Sequence, residues 1–436
     1  MPLRQDMPTD ASQSPRADSA RANTIAWLAT SEGAALLAKA DALPDDRLTR
    51  LSTLRKQASA AAATAAVELL ELRRRARGKF STADRMFFTP EGLEQATGDP
   101  IAEYRASKFP AGAPVLDACC GIGGDALHLV RRGPVIAVDR NAAAAQCTRL
   151  NLARCYGTDA APYPAYACCA DVTALPLARL AAGGVRCAFF DPSRRGTDGD
   201  GIRRRLRSSE DYQPPLRWHE ALQAAFPMVG VKVSPAIDDE ALRRTDARVE
   251  FISDRGECKE AMVWLGSAAD ALALPPGAAV PYFATVLQPG RPPAILSPFA
   301  CDELATGDVD AFLYEPDPAV IRAHLTPQLA AQLGAVRIDA SASYLTAGAG
   351  VATPFAAAFR IVDVLPFRIK DVQRRLKSLH AHVGAVKKRG VPYEPASVQR
   401  ALSPCGDLEL VLTLMRRGER VIALLCERLP RSPSEP

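Results

Sequence analysis

The sequence predicts an α/β fold with a mostly parallel sheet, preceded by a helical segment and followed by a smaller α+β domain. Three observations predict it. Between residues 115 and 191, short apolar runs that end in aspartate alternate with Ala- and Leu-rich helical stretches. The first of these runs leads directly into a glycine turn, Cys119-Cys120-Gly121-Ile122-Gly123-Gly124-Asp125. A Pro/Gly/Ala-rich stretch then separates this region from a second set of strand and helix signals that begins near residue 282.

A chain of 436 residues exceeds one ordinary domain and implies two or three. With 48% of residues apolar, a sizeable core can be buried. The net charge of +5 is too mild by itself to imply nucleic acid. Charge or proline breaks every long apolar stretch before membrane-spanning length, so no membrane partner is expected. The eleven cysteines include Cys119-Cys120 and Cys168-Cys169 but no C-x-x-C, and the five histidines show no ligand spacing, so no metal is expected. Most cysteines lie in apolar runs and read as small buried hydrophobes in a reducing cytoplasm.

In chain order, residues 1–23 are polar, lack an apolar signal core and read as disordered. Residues 24–79 are helical in pattern and close on the basic run Arg73 to Lys79, which complements a helix C-terminus or offers a phosphate surface. Residues 80–268 form the α/β domain. Its strands are expected at Val115 to Asp117, Val135 to Asp139, Tyr166 to Asp171 and Cys187 to Asp191, then at Gly230 to Ser234, Val249 to Ser253 and Ala261 to Leu265. The last two read as an antiparallel hairpin around Arg255-Gly256.

The remaining region, residues 282–430, contains a basic helix, Pro366 to His380, and two strands, Leu408 to Leu414 and Val421 to Cys426. From Arg360 to Arg431, fifteen Lys/Arg stand against seven Asp/Glu. Lys387, Lys388 and Arg389 read as a glycine-containing loop beside the basic helix. Such cations supply the sequence-independent phosphate term of RNA binding, or form a solvated surface.

The glycine turn defines the ligand. Glycine has no side chain to clash and tolerates positive φ, so a ligand can approach the backbone closely. A dinucleotide fingerprint needs G-x-G-x-x-G around a pyrophosphate. Here Gly121, Gly123 and Gly124 are followed at once by Asp125, which would repel a pyrophosphate. That arrangement suits S-adenosylmethionine, which carries an ammonium and a sulfonium centre. Asp117, Cys119, Gly121, Gly123 and Asp125 are therefore expected in the cofactor pocket. Asp139, with Arg140, ends the second strand, where an acid can accept both hydrogen bonds of a ribose diol. Asp171 follows the third strand; the likeness of the Asp117 to Gly123 pattern to the first motif of class I S-adenosylmethionine-dependent methyltransferases implies a place for it near the adenine amine.

These residues carry a resemblance. Asp117 to Asp125, Phe189 to Arg195, Asp211 to Leu216 and Val231 to Asp238 resemble a bacterial family of class I S-adenosylmethionine-dependent methyltransferases. Members of that family carry a C-terminal THUMP-like domain, and Val364 to Glu427 is similar to it. The likeness implies a Rossmann-like methyltransferase sheet, a THUMP-like domain at about residues 360–430, and an RNA partner of tRNA or rRNA type. The catalytic half, with Phe87-Phe88-Thr89-Pro90-Glu91, is also similar to trimethylguanosine synthases. Those enzymes have Pro-Pro-Trp after the fourth strand, whereas this chain has Asp191-Pro192-Ser193-Arg194-Arg195.

Two acceptor chemistries stay open. Asp191 and Pro192 would meet an exocyclic base amine, with Arg194 and Arg195 on a phosphate. Alternatively Lys79, Asp191, Lys232 and Glu260 are similar to the tetrad of rRNA 2′-O-methyltransferases, in which Lys232 would deprotonate a ribose hydroxyl. A non-catalytic, S-adenosylmethionine-responsive RNA-binding protein and a small-molecule methyltransferase are further alternatives. The oligomeric state is open.

Overall fold

The computed structural model describes residues 15–155, 162–194, 212–242, 247–270, 272–274, 281–402 and 406–429. The chain divides into two compact units, Met1–Ala247 with Met262–Leu272, and Arg248–Ala261 with Ala273–Pro436. Both the helical segment of residues 24–79 and the α/β stretch that follows it fall largely in the first unit. The hairpin residues Arg248–Ala261 group with the second unit.

Four helices open the first unit: α1 (Pro15–Leu28), α2 (Ser31–Ala42), α3 (Arg47–Leu54) and α4 (Ala60–Ala76). Thr30, Asp46 and Ser59 cap the last three by accepting from the N–H of Gly33, Thr49 and Ala62. Residues 15–23, expected to be disordered, are helical and form most of α1. Their polar composition misled because α1 gains its order from tertiary contacts. Ile25 and Leu28 are buried, and Asp18 bonds to a helix of the α/β region.

There follow α5 (Pro90–Gln95), α6 (Asp99–Ser107), β1 (Val115–Ala118), α7 (Ala126–Leu129), β2 (Val135–Asp139), α8 (Ala142–Arg154), β3 (Ala165–Cys169), α9 (Leu177–Ala182) and β4 (Cys187–Phe190). A short antiparallel pair, β5 (Ser193–Arg194) and β6 (Tyr212–Gln213), precedes α10 (His219–Ala225), β7 (Met228–Val233) and α11 (Asp239–Leu242). Strands β3-β2-β1-β4-β7 lie side by side in that order, all parallel. From β1 the chain first adds strands on one side and then crosses to add them on the other. A crevice therefore opens at the carboxyl ends of β1 and β4, where ligands bind in open α/β sheets.

Strand β1 is buried throughout, as expected of a central parallel strand. Strand β3 is the edge strand: Tyr166 is 69% exposed, and Cys168 and Cys169 are exposed. The reading of the cysteines as buried holds for Cys120, Cys147, Cys187 and Cys426 but not for this pair, because an edge strand has a neighbour on one side only.

The glycine turn is held by α8. The buried Asn151 side chain accepts from Phe87 N–H at 2.7 Å and donates to the carbonyls of Phe87 at 3.0 Å and Ile122 at 2.8 Å. Thr148 Oγ1 donates to the Gly121 carbonyl at 2.8 Å.

In the second unit, β8 (Arg248–Asp254) turns into β9 (Glu257–Gly266) through Arg255 and Gly256, at φ 51° and 79°. Positive φ at both positions matches the type I′ turn of a tight hairpin. Strand β9 continues into the first unit and leads to α12 (Ser267–Asp270). Strand β10 (Tyr282–Leu287) pairs parallel with β8, and β11 (Ala294–Leu296) antiparallel with β10.

The chain then forms β12 (Phe312–Pro316), α13 (Pro318–Arg322), α14 (Thr326–Leu333), β13 (Val336–Arg337), β14 (Leu345–Ala347), β15 (Ala356–Pro366), α15 (Ile369–Ser378), β16 (Ala381–Arg389), α16 (Pro395–Ala401), β17 (Leu408–Arg417) and β18 (Arg420–Arg428). Their sheet runs β13-β14-β12-β15-β18-β17-β16. Val372, Leu376, Val398 and Leu402 bring α15 and α16 onto Leu410, Leu412, Leu414 and Leu425. Leu313, Phe359, Val411, Met415 and Leu424 make a second core cluster. Lys387, Lys388 and Arg389, expected on a loop, end strand β16 and pair with Thr413, Leu414 and Met415 of β17. The glycine after them, Gly390 at φ 64°, marks where the strand stops. Among the described residues no helix is long and apolar enough to cross a membrane.

Asn151→Ala removes three hydrogen bonds and strands buried backbone groups of Phe87. It should destabilise the protein by about 2–4 kcal/mol in urea denaturation. A loss under about 1 kcal/mol would show that the turn does not depend on this clamp.

Candidate functional site

The carboxyl ends of β1, β2, β4 and β7 bring together most of the residues singled out in the sequence. The turn after β1 starts from two backbone bonds to β2, Cys119 N–H and Cys120 N–H to the Val138 carbonyl at 2.9 and 3.0 Å. Cys119 has φ 68°, a left-handed conformation unusual for a residue with a side chain. Gly121 has φ 56°, and no described atom lies within 4 Å of where its Cβ would sit, so its backbone faces open space. Gly123, at φ 84°, is different. A Cβ there would lie 2.9 Å from Thr148 Cγ2 and 3.0 Å from its Oγ1. Gly121 thus leaves room for a ligand, and Gly123 lets α8 close on the turn.

Carboxylates crowd this crevice. Asp117 is fully buried, and neither carboxyl oxygen has a hydrogen-bond partner among the described residues. Burial pushes its pKa well above the ordinary carboxylate range; Asp125 and Asp191 reinforce this, and Arg105 opposes it. Asp139 Oδ2 accepts from Gly121 N–H at 2.9 Å and Oδ1 from Asn141 N–H at 2.8 Å. Burial also raises Asp139, against the pull of those two bonds. Burial, with the charges of Asp139, Asp191 and Asp117, drives the Cys119 thiol far upward. That thiol lacks the thiolate character a nucleophile needs.

Arg140 is exposed. Asp171 is exposed and accepts from the Thr173 hydroxyl and N–H at 2.7 and 2.9 Å, bonds that hold its pKa low. Asp125 forms an ion pair with Arg105, which is only 1% exposed and stacks over the Phe189 ring at 4.5 Å. The sequence reading aimed Asp125 at the ligand; the fold also gives it a buried arginine to neutralise. Arg105 itself was missed; with Glu103 beside it in Ile101 to Ala106, nothing in the sequence clearly signals that its charge is buried.

On the acceptor side, Asp191 is bonded to Lys232 at 2.6 Å, and Lys232 Nζ also donates to Thr97 Oγ1 at 3.0 Å. Pro192 is buried. Lys79 donates to the carbonyls of Leu93 and Glu94 at 2.8 and 3.4 Å. Glu260 is buried in the β9 segment that belongs to the second unit. Arg194 contributes backbone to β5; Arg195 and Asp211 lie outside the described residues. Tyr212 OH accepts from Ser234 N–H at 2.8 Å. Trp218 packs edge-on against Phe190 with ring centroids 5.0 Å apart. An aromatic side chain thus stands beside the residue preceding Asp191, delivered from 27 positions further along the chain. In the second unit, Lys387 and Arg389 pair with Glu315, and Lys388 lies 3.9 Å from Glu394.

These residues fit S-adenosylmethionine. Asp117 offers a buried carboxyl with no partner among the described residues, suited to a cationic group. Gly121 offers open backbone. Asp139 keeps unused lone pairs on both oxygens for a ribose diol.

Comparisons with known proteins agree. A THUMP domain-like family matches residues 356–428, the stretch from β15 to β18, and a domain of unknown function matches residues 21–76. An uncharacterized S-adenosylmethionine-dependent methyltransferase from two strains of Mycobacterium tuberculosis is 30% identical over 372 residues, 83% of this chain and 96% of the relative. A solved structure from Porphyromonas gingivalis W83, whose description names a methyltransferase, covers 91% of this chain and 98% of its own at a TM-score of 0.72 and 20% identity. That likeness is one of fold.

Asp117→Asn tests the pocket. The carboxyl titrates higher in the fold than in the unfolded chain. Its stabilising contribution is therefore complete below the unfolded value and is lost as pH rises through the folded one. The melting difference between variant and parent should shift in favour of the variant as pH rises from about 4 to about 7. Calorimetry should show S-adenosylmethionine binding at least roughly tenfold weaker, a lost charge-assisted contact. Parent-like affinity would remove Asp117 from the pocket.

Proposed function

The chain belongs to the S-adenosylmethionine-dependent methyltransferases, and from that premise we propose that it methylates RNA of tRNA or rRNA type at a base nitrogen, of the guanine-amine kind. The observation that carries the acceptor chemistry is the Asp191–Lys232 pair at the end of β4. Bound S-adenosylmethionine supplies an electrophilic methyl group. Asp117, the Gly121 backbone, Asp139 and Asp171 would hold the cofactor. Asp191 would then accept a hydrogen bond from the base amine, orient its lone pair toward the methyl carbon, and take up the proton the amine sheds. Lys232 and Thr97 fix the carboxylate in place.

The ribose alternative asks Lys232 to accept a proton from a hydroxyl. Its contacts support the opposite role, since it donates to both Asp191 and Thr97. Trp218 beside Phe190 supports a planar base as substrate, because an aromatic face can stack on any base.

The RNA assignment rests on the THUMP domain-like match and on the charge it contains. On α15, Val372 and Leu376 face the core, while Lys370, Arg374 and Lys377 are exposed at helical spacing. Lys387 and Arg389 are both engaged by Glu315, so only Lys388, on the alternate face of β16, would add to the α15 stripe. Together they form a surface suited to phosphates.

Asp191→Ala should leave cofactor affinity within about twofold and lower kcat on the order of a hundredfold or more. Lys232→Ala should cost less; near-complete loss with rescue at high pH would favour ribose. Nucleoside mass spectrometry of RNA with and without the gene names the product, and unchanged methylation would sink the RNA reading. Changing Lys370, Arg374 and Lys377 together to Ala should weaken tRNA binding and flatten its salt dependence without altering cofactor affinity. An unchanged slope in filter binding would reduce that face to a solvated surface.

A further inference from the structure

Helix α1 lies alongside α8 and is tied to it at both ends. At the start of α8, Asp18 Oδ2 accepts the Ala142 N–H at 2.6 Å and Oδ1 accepts the Ala143 N–H at 3.1 Å. At its end, Arg154 donates to the Ala29 carbonyl just beyond α1. The span from residue 18 to 29 matches that from 142 to 154, so the helices run in the same direction and are clamped in register.

A helix leaves its first N–H groups without internal partners. In α8 the first three are taken by side chains, two by Asp18 and the third by Asn141, whose Oδ1 accepts the Ala144 N–H at 2.8 Å. A helix start is a ready place for an anion, and here the chain's own carboxylate fills it. The consequence reaches the cofactor crevice through one residue. Asn141 opens α8, and its N–H holds Asp139 Oδ1 at 2.8 Å, while the glycine turn holds Oδ2 through Gly121 N–H. The setting of the Asp139 carboxylate thus depends on where α8 begins, and Asp18 pins that point. Of the two residues whose amides Asp18 serves, Ala143 is buried and Ala142 half-buried, so water is a restricted substitute there.

We propose that Asp18 is a positioning residue for cofactor binding: through it, the N-terminal helical segment holds the first turn of α8 and so presents Asp139 to the ribose. This rests on the reading of Asp139 as the ribose acceptor. It gives the segment matched by a domain of unknown function, which α1 enters, a part in the cofactor site. Asp18 need not touch the cofactor.

The test uses the full-length chain and calorimetric S-adenosylmethionine affinity, with Asp18→Ala, Asp18→Asn, Asp139→Ala and the double variant Asp18→Ala/Asp139→Ala. Asp18→Ala should weaken binding roughly fivefold to tenfold, the effect of a lost helix cap. Once saturated with cofactor, its kcat should stay near that of the parent. Asp18→Asn, which keeps one acceptor oxygen and the side-chain shape, should fall between the two. In the Asp139→Ala background the Asp18→Ala effect should largely vanish, since residues acting through one another are not additive. In the ligand-free protein, hydrogen exchange should show faster exchange at Ala142 and Ala143 in Asp18→Ala. Parent-like affinity in Asp18→Ala, or a fully additive double variant, overturns the proposal. If Asp18→Ala does not fold, Asp18→Asn decides, and parent-like affinity there overturns it as well. If Asp139→Ala itself binds like the parent, the ribose reading fails instead, and the two failures are told apart.

Discussion

Four carboxylates meet at the carboxyl end of one parallel sheet, and the organisation of the first unit follows from how their charge is managed. Asp125 is matched by the buried Arg105, and Asp191 by Lys232. Asp139 is held by two backbone N–H groups. Asp117 receives nothing from the described chain. A buried, unpaired carboxylate is costly, and the fold keeps one at the end of its central strand. A cationic ligand resolves that imbalance. The cofactor of the family carries an ammonium and a sulfonium, charge of the kind that would offset it there.

The same constraint explains the reinforcement behind the site. A turn that places Cys119 and two glycines at positive φ has little intrinsic preference for its shape. It is held by backbone bonds to β2 and by Thr148 and Asn151 from α8. Helix α8 is in turn fixed by α1. The shape of the turn therefore draws on helices far from it in sequence. A site assembled from strand ends and loops stays rigid only if the layer behind it is itself locked.

The second unit shows a different division of labour. Its basic residues do not act alike. Lys387 and Arg389 lie on a strand and share Glu315, whereas Lys370, Arg374 and Lys377 stand free of the core on an amphipathic helix. Cations counted along a sequence are therefore not yet a surface. Strand alternation and ion pairing decide which of them face solvent.

By itself, the sequence determined the strands and their succession along the chain, the glycine turn, the aspartates near strand ends and the basic helix. All of these are set by local pattern: period, turn chemistry and residue type at a strand end. Tertiary structure alone decided the rest. It made α1 a helix where composition implied disorder, because the stabilising partners lie more than a hundred residues away in α8. It turned the Lys387 to Arg389 stretch into a strand end, because β17 supplies its pairing. It exposed Cys168 and Cys169, because β3 has no outer neighbour among the described residues. And it gave Asp125 an arginine, Asp191 a lysine and Asp117 no partner among the described residues, since only the packed chain brings distant charges within bonding distance.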